Sequence, residues 1–353
     1  MEIRPLTLND CDNYIAFCQE MWPTYTAAGN WETVRQKYLR NPHVRLCPGS
    51  GLYGYFQGNK ICGIMGAYPM PVTLNGVVYP GHMSVDWAVL PLFQRQGITR
   101  KLYEVVVSLP GRKFASIGSR ASQEAMERRG FRISAVNALA VILPLKAALL
   151  RLLHLTWYAQ PSPLCGEPIS LPGIATSITP EEFRSAMPPD SQGTAFVYRG
   201  PDFWQVYCEH RLQNGGFPIR LFAKDGEGDV LIKLLEVGPL RVCIVLAVYL
   251  QPSTIQCAQQ LGRSFRSVLK NLKVCALMTT EPDELWAVFL KAASVWVSRS
   301  PTYWWIIPCA SDSFSADEVR WWLTWADRDS HWGYVQPSLT FRGAMDQSKR
   351  RSE

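Results

Sequence analysis

Between Ser84 and Arg100 the chain reads SVDWAVLPLFQRQGITR, an alternating strand that stops at Pro91 and reopens, across a Gln/Arg-rich turn with one glycine, as a helix. This junction predicts an α/β arrangement, and it also makes an anion site. Backbone N–H groups at a helix start have no internal acceptors and sit at the positive end of the dipole. A diphosphate arriving there is bound by geometry and charge together. Gly97 lets the main chain approach closely, and Arg95 and Arg100 add positive charge. The plainer reading of the same residues is a solvated strand-to-helix turn. Context favours the anion site: the strand ends in Val89-Leu90-Pro91, and the helix repeats apolar residues at Ile98, Leu102, Val105 and Val106.

The flanking segments extend the pattern. Arg4 to Thr7 reads as a strand running into a helix capped near Asn9 and Asp10, with Ile15, Phe17, Cys18 and Met21 on its apolar side. Trp31 to Leu39 predicts a second helix, ended by Asn41-Pro42. Leu52–Phe56 and Ile61–Tyr68 flank a Gly58-Asn59 turn, and Val72 to Tyr79 pivots on Asn75-Gly76, so two hairpins precede the junction. After it, Phe114–Ile117 reads as a strand, Ser122–Arg129 as a helix closed by Gly130, and Phe131 onward as a strand.

At 353 residues and 47% hydrophobic the chain has material for two cores. The expected division is a first domain over 1–160, a Pro/Ser/Gly-rich connector over 161–174, a second domain over 175–340 and a polar tail over 341–353. A net charge of +7, with no long basic run beyond Lys349-Arg350-Arg351 in that tail, does not demand nucleic acid. The opening MEIRPLTLNDCD has no apolar core, so a secretory signal is not expected and a cytoplasmic location is. Ten cysteines lack any C-x-x-C pair and five histidines lack metal spacing, so no metal is expected. The apolar stretch Ala135–Trp157 is broken by Pro144, Lys146, Arg151 and His154 and reads as a strand and an amphipathic helix, not a membrane span.

Gln94-Arg95-Gln96-Gly97-Ile98-Thr99, behind Val89-Leu90-Pro91, resembles the acetyl-coenzyme A signature of the GNAT acyltransferases, Gln/Arg-x-x-Gly-x-Gly/Ala, with Thr99 replacing the small last residue. The resemblance covers about the first 145 residues. It implies a GNAT-like mixed central sheet flanked by helices, α/β in class, and acetyl-CoA or another acyl-CoA as donor. The diphosphate would lie on Gln94, Arg95, Gln96, Gly97, Ile98, Thr99 and Arg100. The pantetheine arm and thioester would lie along a strand parted from its neighbour, at the main chain of Ala88, Val89 and Leu90. In the family's second cofactor segment Ser119 takes an asparagine position, Ser122 an alanine position and Met126 the position of the tyrosine that protonates the leaving thiolate.

Acyl transfer to an amine also needs a group for the amine's proton. Asp86, a carboxylate among Val85, Trp87, Ala88 and Val89, is costly there unless it has partners or work to do, and Ser84-Val85-Asp86 resembles a segment of glucosamine-phosphate acetyltransferases. On spacing alone it is equally a structural aspartate. His82 shares the Asp86 face by strand alternation and is a second candidate base, and Tyr103 is a candidate acid or a helix-packing residue. Cys62 as an acyl-enzyme nucleophile ranks well behind direct transfer, for nothing beside it in sequence activates a thiol.

From Thr179 a fainter copy of the same plan begins. Leu240–Leu250 echoes the junction strand, but Val245 stands at the Asp86 position and Gln256 or Cys257 at the Gly97 position, so the copy reads as degenerate. The expected function is N-acyl transfer from coenzyme A to a small amine such as an amino sugar, amino acid or biosynthetic intermediate. The alternatives are a long-chain donor on coenzyme A or an acyl carrier protein, and a non-catalytic acyl-CoA sensor. The tryptophans that thicken toward the C-terminus read as core and interface packing before acceptor-cleft lining.

Overall fold

Short alternating runs separated by turn residues fold the first part of the chain into an antiparallel sheet. The computed structural model describes residues 1–22, 31–116, 131–143, 159–162, 164, 168–184, 194–197, 202, 216–237, 239–251, 254–281, 284–307 and 320–322. Strand β1 (Glu2–Pro5) pairs with β2 (Gly51–Gln57), and β2 with β3 (Lys60–Pro69). A hairpin of β4 (Val72–Leu74) and β5 (Val77–Tyr79) turns on Asn75 and Gly76, both left-handed as a tight two-residue turn requires. β6 (Gly81–Val89) returns antiparallel to β3.

Helices cover both faces of this sheet. On one, α1 (Cys11–Met21) and α2 (Trp31–Val34), the latter continued by a wider π turn over Arg35–Leu39, bury Phe17, Cys18, Val34 and Tyr38 against Leu52, Phe56, Ile64 and Tyr68. On the other, α3 (Ile98–Ser108) buries Ile98, Leu102 and Val106 against Tyr53, Tyr55, Cys62, Met65 and Ala67. The spacing of those three helix residues, each four apart, forms one apolar stripe, which is why the segment after the turn is helical.

Next come β7 (Arg112–Ser116), β8 (Phe131–Val141), β9 (Ala159–Pro161), β10 (Ser170–Leu171), β11 (Ala175–Ser177), α4 (Pro180–Arg184), β12 (Thr194–Val197), β13 (Gly216–Ala223), β14 (Gly226–Val237) and β15 (Leu240–Gln251). The described chain closes with α5 (Ile255–Asn271), β16 (Val274–Glu281), α6 (Glu284–Ala293), β17 (Trp296–Ile307) and β18 (Arg320–Trp322). Among the described residues one sheet runs β1-β2-β3-β6-β7-β17-β8-β16-β15-β14-β13-β11-β10, with β9 on β14, and a smaller sheet runs β18-β12-β4-β5. The mixed sheet flanked by helices is the expected class.

The order is the same from either end. Moving inward, an antiparallel set leads to a parallel pair, β6/β7 on one side and β15/β16 on the other, and then to a strand supplied by the opposite half: β17 beside β7, β8 beside β16. β8 and β17 pair antiparallel at the centre along Phe131–Val141. Within the segment read as a connector, Pro161 at the end of β9 and all of β10 join the sheet. The expected helices over 122–129 and after Pro144 lie outside the described residues, as does the tail. No helix among the described residues is long and apolar enough to cross a membrane.

Candidate active site

The turn between β6 and α3 leaves its amides open. Gly97 caps the helix in a left-handed conformation, φ 76°, with no side-chain cap, and Arg95 is left-handed too, φ 62°. Among the described residues no protein acceptor meets the amides of Arg95, Gln96, Gly97, Ile98, Thr99 or Arg100; the first helical bond of this turn is Lys101 N–H to Gly97 O, 3.1 Å. Left-handed residues bordering a helix start fan successive N–H groups into a concavity that suits an anion. The side chains brace this shape. Gln94 Nε2 donates to Val89 O at 3.3 Å and Gln96 Nε2 to Leu92 O at 3.0 Å. Arg100 is exposed and paired with Glu104 at 2.8 Å, so its charge is shared with a carboxylate the sequence reading passed over.

Among the described residues, the pairing of β6 with β7 ends next to that turn. The two strands pair in parallel only over Gly81–Ser84 with Arg112–Ala115, and from Val85 onward β6 has no partner on that side among the described residues. A strand edge of this kind presents main-chain donors and acceptors to a ligand. Ala88 and Val89, paired on their other side with Ile64 and Gly63, lie on it, and Val89 O already accepts from Gln94 Nε2. Leu90 is a correction: it is fully buried, its amide donates to Cys62 O at 3.0 Å and its carbonyl accepts from Phe93 N–H at 2.9 Å, so its main chain is engaged within the protein.

The β6 ladder with β3 also carries a bulge, Val85 pairing with Gly66 but Ala88 with Ile64. Asp86 and Trp87 occupy it, and Asp86 is left-handed, φ 52°. A bulge re-aims side chains, and a left-handed aspartate stores about 1–2 kcal/mol of strain that the surroundings must hold. Asp86 Oδ2 accepts from Lys37 Nζ at 2.7 Å and from the Tyr38 hydroxyl. A Cβ at Gly66 would overlap that hydroxyl, so the glycine admits the tyrosine. Asp86 therefore stands two residues past the last β6–β7 pair, at the point where the strands part.

The same bulge separates the two candidate bases. It breaks the alternation that was expected to place His82 on the Asp86 face, and His82 is fully buried between β3 and β7, opposite Pro69 and Lys113. Burial, with the Lys113 ammonium nearby, holds its imidazole down at about 4 against the favourable carbonyls of Cys47 and Pro48. Tyr103, half-buried on α3, meets the Trp87 ring edge-on at 6.0 Å between centroids. Cys62 is fully buried and burial pushes its thiol up, away from a nucleophilic thiolate. Ser119, Ser122 and Met126 lie outside the described residues. Of the C-terminal tryptophans, Trp286 is core, whereas Trp296 is exposed, against the expectation of packing.

Lys37 and Tyr38 were not foreseen, since 49 and 48 residues separate them from Asp86. The signal that could have found them is Gly66 in the apolar run ICGIMGAYP, because a glycine inside a strand often marks a close approach.

Residues 2–108 match the family model of the acetyltransferase (GNAT) domain. No curated protein sequence matches the chain. Among solved structures it is similar to a GCN5-related N-acetyltransferase from Anabaena variabilis, at 12% identity and a TM-score of 0.53, covering 86% of this chain and 72% of that one. It is also similar to a probable N-acyltransferase from Enterococcus faecalis, at 11% identity, TM-score 0.52 and 86% and 71% coverage. A GCN5-related N-acetyltransferase from Kribbella flavida matches at 12%, TM-score 0.50 and 86% and 70% coverage. At such identities the structures speak for the fold, and the family model for the region that holds the open turn and the parted strand. Residues 2–108 thus match the GNAT acetyltransferase domain, and the chain shares the fold of the GCN5-related N-acetyltransferases to which it is similar.

Proposed function

We propose that this chain transfers an acyl group, acetyl in the simplest case, from coenzyme A to the primary amine of a small metabolite by direct attack in a ternary complex. One observation carries the reading: among the described residues, the unpaired edge of β6 runs from the Asp86 bulge to a helix start whose amides have no protein acceptor. That arrangement fits a diphosphate at Arg95–Arg100 and an extended pantetheine arm along Val85–Val89. When bound, the thioester supplies an activated acyl carbon. Asp86, whose Oδ1 meets no donor among the described residues, orients the acceptor's nitrogen and takes its proton, directly or through a water, as the N–C bond forms and the C–S bond breaks. Tyr103, against Trp87 of the same bulge, is our candidate to return a proton to the leaving sulfur. His82 has no part, being sealed in the sheet.

The mirror order of the strands supports reading 175–340 as a second, degenerate copy of the plan that completes the sheet instead of binding donor. The lack of a membrane-length helix among the described residues suits a cytoplasmic enzyme. The test is thiol release from acetyl-CoA with a panel of amines, beside calorimetry of coenzyme A binding. Turnover with an amine and uptake of the cofactor support the reading; no uptake of coenzyme A ends it.

A further inference from the structure

Three costly features converge on one carboxylate oxygen. Lys37 is 4% exposed and Tyr38 2%, both from the π turn after α2, and both donate to Asp86 Oδ2. Burying an ammonium is expensive, even with the Tyr38 and Tyr68 rings 5.3 and 5.8 Å away to receive its charge. A left-handed aspartate is strained, and a glycine within a strand weakens it. An ion pair that served stability alone would gain little here, because such pairs seldom repay their desolvation. The carboxylate, moreover, is not sealed with its partner: the Asp86 side chain is 35% exposed while that of Lys37 is 5%.

What the arrangement does secure is geometry. With Oδ2 taken twice from the protein side, the carboxylate is held in one orientation and, among the described residues, Oδ1 remains for a ligand. We propose that Lys37 and Tyr38 are positioning residues, which hold Asp86 in the left-handed bulge and reserve Oδ1 for the acceptor's amine. This rests on the acyl-transfer reading, in which Asp86 receives that amine. Neither residue touches the acceptor; each acts through the carboxylate. The consecutive pair needs the widened turn, for on a regular α-helix neighbouring side chains diverge by about 100° and would not meet one oxygen.

The test uses acetyl-CoA, the best amine of the wild-type panel, and three variants of the full chain. Lys37→Met is expected to lower kcat about 10²-fold, the order of loss that accompanies a misplaced reacting group. Tyr38→Phe is expected to lower it about tenfold, one hydrogen bond being lost. Lys37→Arg, which keeps the charge and a donor, is expected to restore most of the rate. In all three the acetyl-CoA dissociation constant stays at its wild-type value. A kcat unchanged in Lys37→Met, or lost in step with acetyl-CoA binding, overturns the proposal. If Lys37→Met does not fold, an unchanged kcat in Tyr38→Phe does so. Crystals of whichever variant folds give a readout independent of turnover: Asp86 is expected to leave its left-handed conformation, and an Asp86 that has not moved is a refutation. Wild-type protein that releases no thiol with any amine sinks the acyl-transfer reading instead, and the crystals still decide the positioning role.

Discussion

The molecule contains two strand–turn–helix crossovers of the same build, and they differ in where their polar groups go. In each, a bulged strand lies parallel to a neighbour for a few residues and then parts from it: β6 from β7 after Ser84, β15 from β16 after Ile244. At β6 the bulge shows Asp86 and Trp87 to solvent and the following helix starts on an uncapped left-handed glycine. At β15 the bulge buries Leu246, and Val245 and Ala247 beside it are also fully buried. Thr279 Oγ1 donates to Val245 O at 3.0 Å, and the Thr254 side chain accepts from Cys257 N–H at the start of α5. A helix start is a ligand site only where the protein's own side chains leave it uncapped, and a parted strand is a groove only where nothing fills it.

The hardest test of that contrast is Asp86→Asn. It keeps the size of the side chain and removes the base, so kcat for amine acylation is expected to fall by about 10²–10⁴-fold with coenzyme A binding intact. Steady-state thiol release and calorimetry on the same preparation decide it. A variant that keeps full turnover would make the open bulge as inert as its buried counterpart.

Next in size is acid sensitivity, which should belong to the site-bearing half. His82 lies in the paired stretch of β6, whereas the paired stretch of β15 carries Val242 and Cys243, whose thiol burial pushes up. The imidazole is held at about 4 in the fold and takes its ordinary value near 6.5 when unfolded. Above 6.5 both states are neutral and nothing is lost. As the pH falls from 6.5 to 4 the unfolded chain alone gains the proton, and the fold loses roughly 3 kcal/mol. Asp10, held low chiefly by its hydrogen bonds from Arg4, adds its loss only below the ordinary carboxylate range. Urea unfolding at pH 7.5, 6 and 5 should show the decline in the wild type and a flatter profile in His82→Leu; equal slopes would place the acid response elsewhere.

Gly97→Ala sharpens the comparison at the turn itself. An added methyl meets nothing within 4 Å, so its effect comes from φ alone, about 1 kcal/mol. Tilting the amide fan should weaken acetyl-CoA binding about tenfold by calorimetry, a larger effect than on thermal stability. An unchanged dissociation constant would mean that the amides of Arg95–Arg100 do not hold the diphosphate.

How far these features could be read from the chain depends on their range. The β6 turn and α3 follow from local chemistry: Pro91 ends the strand, Gly97 supplies a left-handed cap, and Ile98, Leu102 and Val106 set the helix face. The hairpins follow from Asn75-Gly76 and Gly58 in the same way. What alternation could not show is the bulge, where one extra residue moved Asp86 off the face of His82. Nor do local patterns show the exchange of β8 and β17, whose pairing joins residues more than 150 positions apart, or the meeting of Lys37 and Tyr38 with Asp86. Leu90 was misread for the same reason, since its amide is taken by Cys62 across the sheet.

The smallest expected effect isolates the other crossover. Thr254→Ala removes the side chain that accepts from Cys257 N–H and leaves the start of α5 as uncapped as that of α3. Losing such a cap costs about 1 kcal/mol, to be read as a shift in urea midpoint at unchanged slope. Turnover and acetyl-CoA binding should stay at wild-type values, because freeing the amides does not open a groove while Val245, Leu246, Ala247 and Val248 remain packed in the core. A second equivalent of bound acetyl-CoA in this variant would show that the Thr254 cap alone had closed the C-terminal crossover, and that burial of its strand is no barrier.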